Sequence, residues 1–365
     1  MKHRAGFALL ALTLLGALPA LGQQTTPPAA EEKKGTPGEA SPRPIEGLTE
    51  ADLAQILPLI KEHYVAAGTL TPTELSRATV QGLLDRLGPG VKLLDAPPPG
   101  SSDIRPFRGE IIDERIGYIR LGSIVAPHLA ELDSTLQSYA GKPPAALVID
   151  LRATPPGSEF EQAAEVCKRF CPKGRILFTV RKPNAKQELI LTSKEEPRYR
   201  GIIVVLVDRD CSGAAEAIAA VLRVHVKAMI IGQQTRGEAV EFADLPLPSG
   251  KLLRVAVSEV ALPENISVFP GGVKPDLPVD VPQETTDAVL QAGLDSGVAP
   301  LVAETERPRM NEAALVAGIN PELEAMANRA RGERTKAPLR DAVLQRAIDF
   351  VTTISIYEKP ARRGK

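Results

Sequence analysis

The sequence predicts an α/β fold with parallel strand segments, preceded by a small helical unit and followed by a helical extension. Three observations predict it. Residues 145–151 (AALVIDL) and 202–208 (IIVVLVD) are continuous apolar runs without polar alternation, the pattern of strands covered on both faces. Each run leads into a helical stretch, about 158–170 and 212–223. The stretches 49–90 and 284–365 carry helical rather than strand periodicity.

Taken in order, residues 1–22 read as a signal peptide. Lys2, His3 and Arg4 form a basic start, Phe7 to Leu18 an apolar run, and Ala20-Leu21-Gly22 a small-residue cleavage pattern. The run is shorter than the ~20 residues of a spanning helix, no cysteine sits at the cut, and no later stretch could cross a bilayer. Export to the periplasm or the extracellular space is the expected location, with no membrane contact beyond the signal peptide. Residues 23–47 hold almost no large apolar side chain and read as a disordered linker.

Residues 48–90 form the expected N-terminal helical unit. Thr49 caps a helix whose stripe is Leu53, Ile56, Leu57 and Ile60, and Pro58 should kink it. A second helix opens at Thr71, with Pro72 at its first position and Glu74 closing a capping box, and stops at Gly88-Pro89-Gly90. The α/β core spans 108–283. It begins with a hairpin, 108–113 and 116–121, and a helix at about 127–139. After the first buried strand and its helix come strands at 175–180 and 187–192. The second buried strand and its helix lead to strands at 228–232, 238–243 and 252–262, which complete the sheet. Residues 284–365 form the C-terminal extension. Val343, Leu344, Ala347, Ile348 and Val351 give it an amphipathic helix, while 307–309 and 329–334 read as solvated loops.

Composition excludes several functions. The net charge of -1, with no basic run before the last residues, argues against a nucleic-acid partner. Aromatic residues make up 4% and Trp is absent, which argues against an aromatic platform for sugars or bases. Cys167, Cys171 and Cys211 leave an odd thiol in any pairing, and the first two share a helical face as small buried residues. His63, His128 and His225 show no ligand spacing, so neither a metal nor another cofactor is expected.

The chemistry belongs to two loops, 150–157 (DLRATPPG) and 208–216 (DRDCSGAAE), each at the C-terminal end of a buried strand, where α/β sheets bind ligands. From here the chain resembles the tail-specific, or C-terminal-processing, serine protease family. The resemblance rests on Gly117-Tyr118-Ile119-Arg120, the 150–157 loop, Val207 to Glu216, Ile231-Gly232-Gln233-Gln234-Thr235-Arg236-Gly237-Glu238, and Gly272-Val273-Lys274-Pro275-Asp276, in that order. Glu62-His63-Tyr64-Val65 resembles the family's leading segment. The resemblance implies the family's ClpP/crotonase-like core. It also implies a nucleophilic serine where Gly213 stands, a general-base lysine where Glu238 stands, and an oxyanion hole at Pro156, Gly157 and Ala214. Pro156 has no N–H to give. The family's PDZ domain is absent, since about 18 residues separate Gly90 from Arg108, against ~80–100 for a compact domain.

Ser212 is read as the N-cap of the following helix; the alternative makes it a displaced nucleophile in an active serine-type peptidase. Cys211 has no partner base and reads as a small buried residue. Asp150 and Arg152 pair near the loop, and Glu216 starts a helix. The expectation is an inactive, PDZ-less pseudoprotease that binds or scaffolds a peptide or protein ligand in the degenerate cleft, or regulates an active relative.

Overall fold

The computed structural model describes residues 48–96, 104–183, 188–302 and 339–357. The predicted signal peptide, the linker and the loops at 307–309 and 329–334 lie outside them. The chain divides into two units, 1–74 and 75–365.

In the first unit, helix α1 (Glu50–His63) starts at Thr49, which exchanges capping bonds with Asp52. It runs through Pro58 without ending there, and none of its side chains is buried. Helix α2 (Pro72–Leu87) begins at the end of this unit and continues into the second, with the Thr71 hydroxyl accepting the Glu74 N–H at 3.2 Å. It ends at the 3-10 turn Gly88–Gly90.

The second unit is built on two sheets, not the single sheet the sequence suggests. One has the order β12 (Leu277–Pro278), β8 (Met229–Gly232), β7 (Ile202–Val207), β4 (Ala146–Asp150), β3 (Ile116–Arg120) and β2 (Arg108–Ile112). Its strands are parallel except for β2, which forms a hairpin with β3 around Asp113 and Glu114, both at positive φ. The other sheet is antiparallel. It joins β1 (Val91–Leu94), β10 (Leu252–Leu262), β5 (Ile176–Arg181) and β6 (Leu189–Thr192), with β9 (Val240–Pro246) and β11 (Ile266–Ser267) also on β10. The short link 247–251 makes β9 and β10 an antiparallel pair, because a parallel return needs a crossover of a dozen or more residues. Strand β1 falls in the stretch that the sequence reading left between the helical unit and the core.

The two apolar runs behave as their composition demands. Along β4, Leu147 and Ile149 face one core, while Ala146 and Val148 face the other. Along β7, Ile203, Val205 and Val207 face the first, Val204 and Leu206 the second. The first core is closed by helices α3 (Ala126–Ser138), α4 (Phe160–Lys168) and α5 (Ala214–Val226). The second is covered by Val343, Leu344, Ala347, Ile348 and Val351 of the C-terminal helix (Ala342–Tyr357), the predicted stripe. Helix α6 (Gln283–Ser296) precedes it in this extension. Strands β4 and β7 are hydrogen-bonded neighbours with Asp150 opposite Leu206, so the loops that follow them emerge side by side.

Candidate functional site

The two loops are tied together by three bonds. The Ala153 N–H donates to Asp208 Oδ2 (2.8 Å), the Cys211 thiol to the Leu151 carbonyl (3.0 Å), and the Ala214 N–H to the Gly157 carbonyl (2.9 Å). Asp208 Oδ1 also accepts the N–H groups of Asp210 (3.1 Å) and Cys211 (2.9 Å), which curls the turn before α5. Burial raises the Asp208 carboxyl above its ordinary value despite these donors. Burial and then the nearby Asp208 charge push the Cys211 thiol well above its ordinary value. Cys211 is therefore a protonated structural residue, as read, since a thiolate is the reactive form.

Gly213 has φ 57° and ψ −120°, and a Cβ built there would lie 2.0 Å from the Gly157 carbonyl oxygen. Only glycine fits this backbone and this gap. Its N–H donates to Glu216 Oε2 at 3.1 Å. Gly213, not Ser212, is the N-cap of α5, and no side chain caps the helix from there. The reading of Ser212 as cap is thus corrected. The Ala214 N–H goes to the Gly157 carbonyl, and Ser212 offers α5 only its backbone carbonyl, to the Ala215 N–H at 3.2 Å. The Ser212 Oγ is buried and makes no hydrogen bond to any described residue, so no base touches it.

Glu216 is fully buried and clamps the two sides of the site together. Its carboxylate accepts the N–H groups of Gly213, Gly237 (2.5 Å) and Glu238 (2.7 Å) and the Thr235 hydroxyl (2.5 Å). Burial raises its carboxyl, the four donors oppose the shift, and the net position stays above the ordinary glutamate value. The Glu238 side chain, 12% exposed, is paired with the Lys92 ammonium from β1, which also lies 5.7 Å from the Phe242 ring centre. Glu238 is thus neutralised by a residue the sequence reading did not single out. Behind the first loop, Arg152 lies between Asp150 and Asp341, and Tyr118 Oη donates to Asp150 at 2.8 Å. Burial pushes Asp150 up, but the Arg152 guanidinium outweighs it and holds the carboxyl below its ordinary value.

The oxyanion positions complete the geometry. Pro156 has no N–H, and the Ala214 N–H is already bonded to Gly157. Among the described residues, Gly213 brings no side chain to this turn, the Glu238 carboxylate is ion-paired, and the Ala214 N–H is bonded internally.

The sequence of residues 115–279 matches the peptidase family S41 model. Residues 115–279 are an S41 domain. The carboxyl-terminal-processing protease of Synechocystis is 26% identical over 238 residues, 63% of this chain and 51% of that protein. The carboxy-terminal processing protease CtpA of Bacillus subtilis is 26% identical over 255 residues, 68% of this chain and 52% of that protein. The chain spans about half the length of the curated relatives it matches. Among solved structures, the photosystem II D1 C-terminal processing protease covers 59% of this chain with 52% of its own, at 21% identity and a TM-score of 0.42. In the S41 domain of this chain, Gly213, Glu238 and Pro156 stand where the sequence resemblance implies nucleophile, base and oxyanion donor.

Proposed function

We propose that this chain is an exported S41 pseudoprotease that binds a peptide or protein ligand without cleaving it. The observation that carries the reading is the bond from the Ala214 N–H to the Gly157 carbonyl, beside a Gly213 with no side chain. Acyl transfer needs a nucleophile, a base within hydrogen-bond reach of it, and donors aimed at the developing oxyanion. Here the nucleophile position is empty of side-chain atoms, the base position is an ion-paired carboxylate, and an internal carbonyl takes the donor. Among the described residues, none makes a hydrogen bond to the Ser212 hydroxyl that could activate it.

Two outcomes are expected. Unstructured peptides incubated with the wild-type chain turn over at the rate of the buffer control, and a fluorophosphonate probe leaves Ser212 unlabelled. Turnover that Ser212→Ala abolishes would replace this reading with that of an active peptidase. The basic start, the short apolar run and the Ala-Leu-Gly pattern support export. Intact-mass measurement of protein recovered from the cell envelope or medium should give a mature N-terminus near Gln23; retention of Met1 there would refute processing.

A further inference from the structure

The C-terminal helix reaches the degenerate site through one side chain. Asp341, just before the helix, caps it: Oδ1 accepts the Leu344 N–H (2.9 Å) and the backbone carbonyl accepts the Gln345 N–H (2.8 Å). The same carboxylate receives Arg152 in a bidentate pair, Nη1 to Oδ1 at 2.9 Å and Nη2 to Oδ2 at 2.7 Å. The other edge of the guanidinium meets Asp150, with Nη2 to Oδ2 at 2.7 Å and Nε to Oδ1 at 3.0 Å. The side chains of Arg152, Asp150 and Asp341 are 2%, 0% and 3% exposed.

Apolar burial already accounts for the docking of this helix, through Val343, Leu344, Ala347, Ile348 and Val351. A buried ion pair is weak evidence for added stability, because desolvation offsets most of its attraction, whereas taking one partner away is strongly unfavourable. What the pair does supply is a fixed connection between the helix and the 150–157 loop. Next to Arg152, Ala153 is held at φ 50°, an unfavourable angle for a residue with a Cβ, and its N–H is bonded to Asp208. Four residues on, Gly157 places its carbonyl on the Ala214 N–H. The loop is thus pinned at Arg152, strained at Ala153, and closed over the start of α5 at Gly157.

We propose that docking of the C-terminal helix, acting through Asp341 on Arg152, holds this loop closed. Loosening the helix hydrates Arg152, relaxes Ala153 and lifts the Gly157 carbonyl off Ala214, exposing backbone N–H groups at the N-terminus of α5. The helix is then a latch on the ligand site, and Asp341 is a positioning residue. This regulatory step rests on the reading of that cleft as the ligand site. The pinning of the loop does not.

Amide hydrogen exchange on the full chain tests it with two variants. Asp341→Asn keeps a good helix cap but removes the charge. Leu344→Ala weakens the packing of the helix and leaves the ion pair untouched. In both variants, exchange at 153–158 and at Ala214 is expected to rise by about tenfold or more, with β4 and β7 unchanged. Acceleration confined to 342–357, or spread equally over β4 and β7 in both variants, overturns the latch. Peptidase activity in the wild type would sink the pseudoprotease reading and leave the latch standing. Unchanged loop exchange would sink the latch and leave the reading intact.

Discussion

Gly213→Ser, alone or with Glu238→Lys, should yield a destabilised chain without peptidase activity. Serine can be held at positive φ only where the space beside its Cβ is free, and at 213 that space contains the Gly157 carbonyl oxygen. The substitution combines backbone strain of about 1–3 kcal/mol with overpacking of similar size, a loss of ~3 kcal/mol or more. Glu238→Lys adds a second cation beside Lys92 and removes the carboxylate that pairs with it. Adding Pro156→Gly returns an N–H at 156, yet the Gly157 carbonyl still occupies the Ala214 donor. Urea unfolding of the single, double and triple variants, with a peptide-turnover assay on each, checks this. A double variant as stable as the wild type, or one that turns over peptide, would show that the 157 carbonyl moves aside without penalty.

Glu216→Ala should be the most damaging single truncation near the site. It strips the acceptor from the buried donors of Gly213, Gly237 and Thr235 and from the part-buried N–H of Glu238. Each unsatisfied buried group costs about 1–3 kcal/mol, so a loss of ~4 kcal/mol or more is expected, enough to leave little folded protein. Glu216→Gln retains one acceptor oxygen and turns a donor toward the remaining N–H groups, so it should fall between alanine and wild type. Thermal denaturation of the three proteins ranks them. An alanine variant within about 1 kcal/mol of wild type would mean that water replaces the carboxylate and that the clamp is dispensable.

The legible parts of this molecule were those written in consecutive residues. The runs at 145–151 and 202–208 announced doubly covered strands because no polar residue interrupts them, and the loops after them followed. Gly213, Glu238 and Pro156 stood out only against the motifs of the family the chain resembles. What escaped depended on distant pairings or on backbone direction. Lys92 meets Glu238, 146 positions away, only because β1 pairs with β10. Arg152 meets Asp341, 189 positions away, only because a helix docks across the second core. Ser212 carries the right side chain for a cap, but the helix begins one residue later, and the Ala214 N–H it could have served goes to the Gly157 carbonyl. No residue type announces that the Gly157 carbonyl turns toward Ala214.

That carbonyl also bears on how such a chain changes over generations. While the Ala214 N–H is bonded inside the protein, restoring a serine brings only loss of stability, and restoring a lysine only repulsion. Under the proposed function, no single substitution toward that serine or lysine improves folding, so purifying selection on folding keeps such a chain away from hydrolysis. On that proposal the closed loop works as a ratchet, and descendants of this sequence are free to diversify their ligand surface while the route to proteolysis stays blocked behind several simultaneous changes.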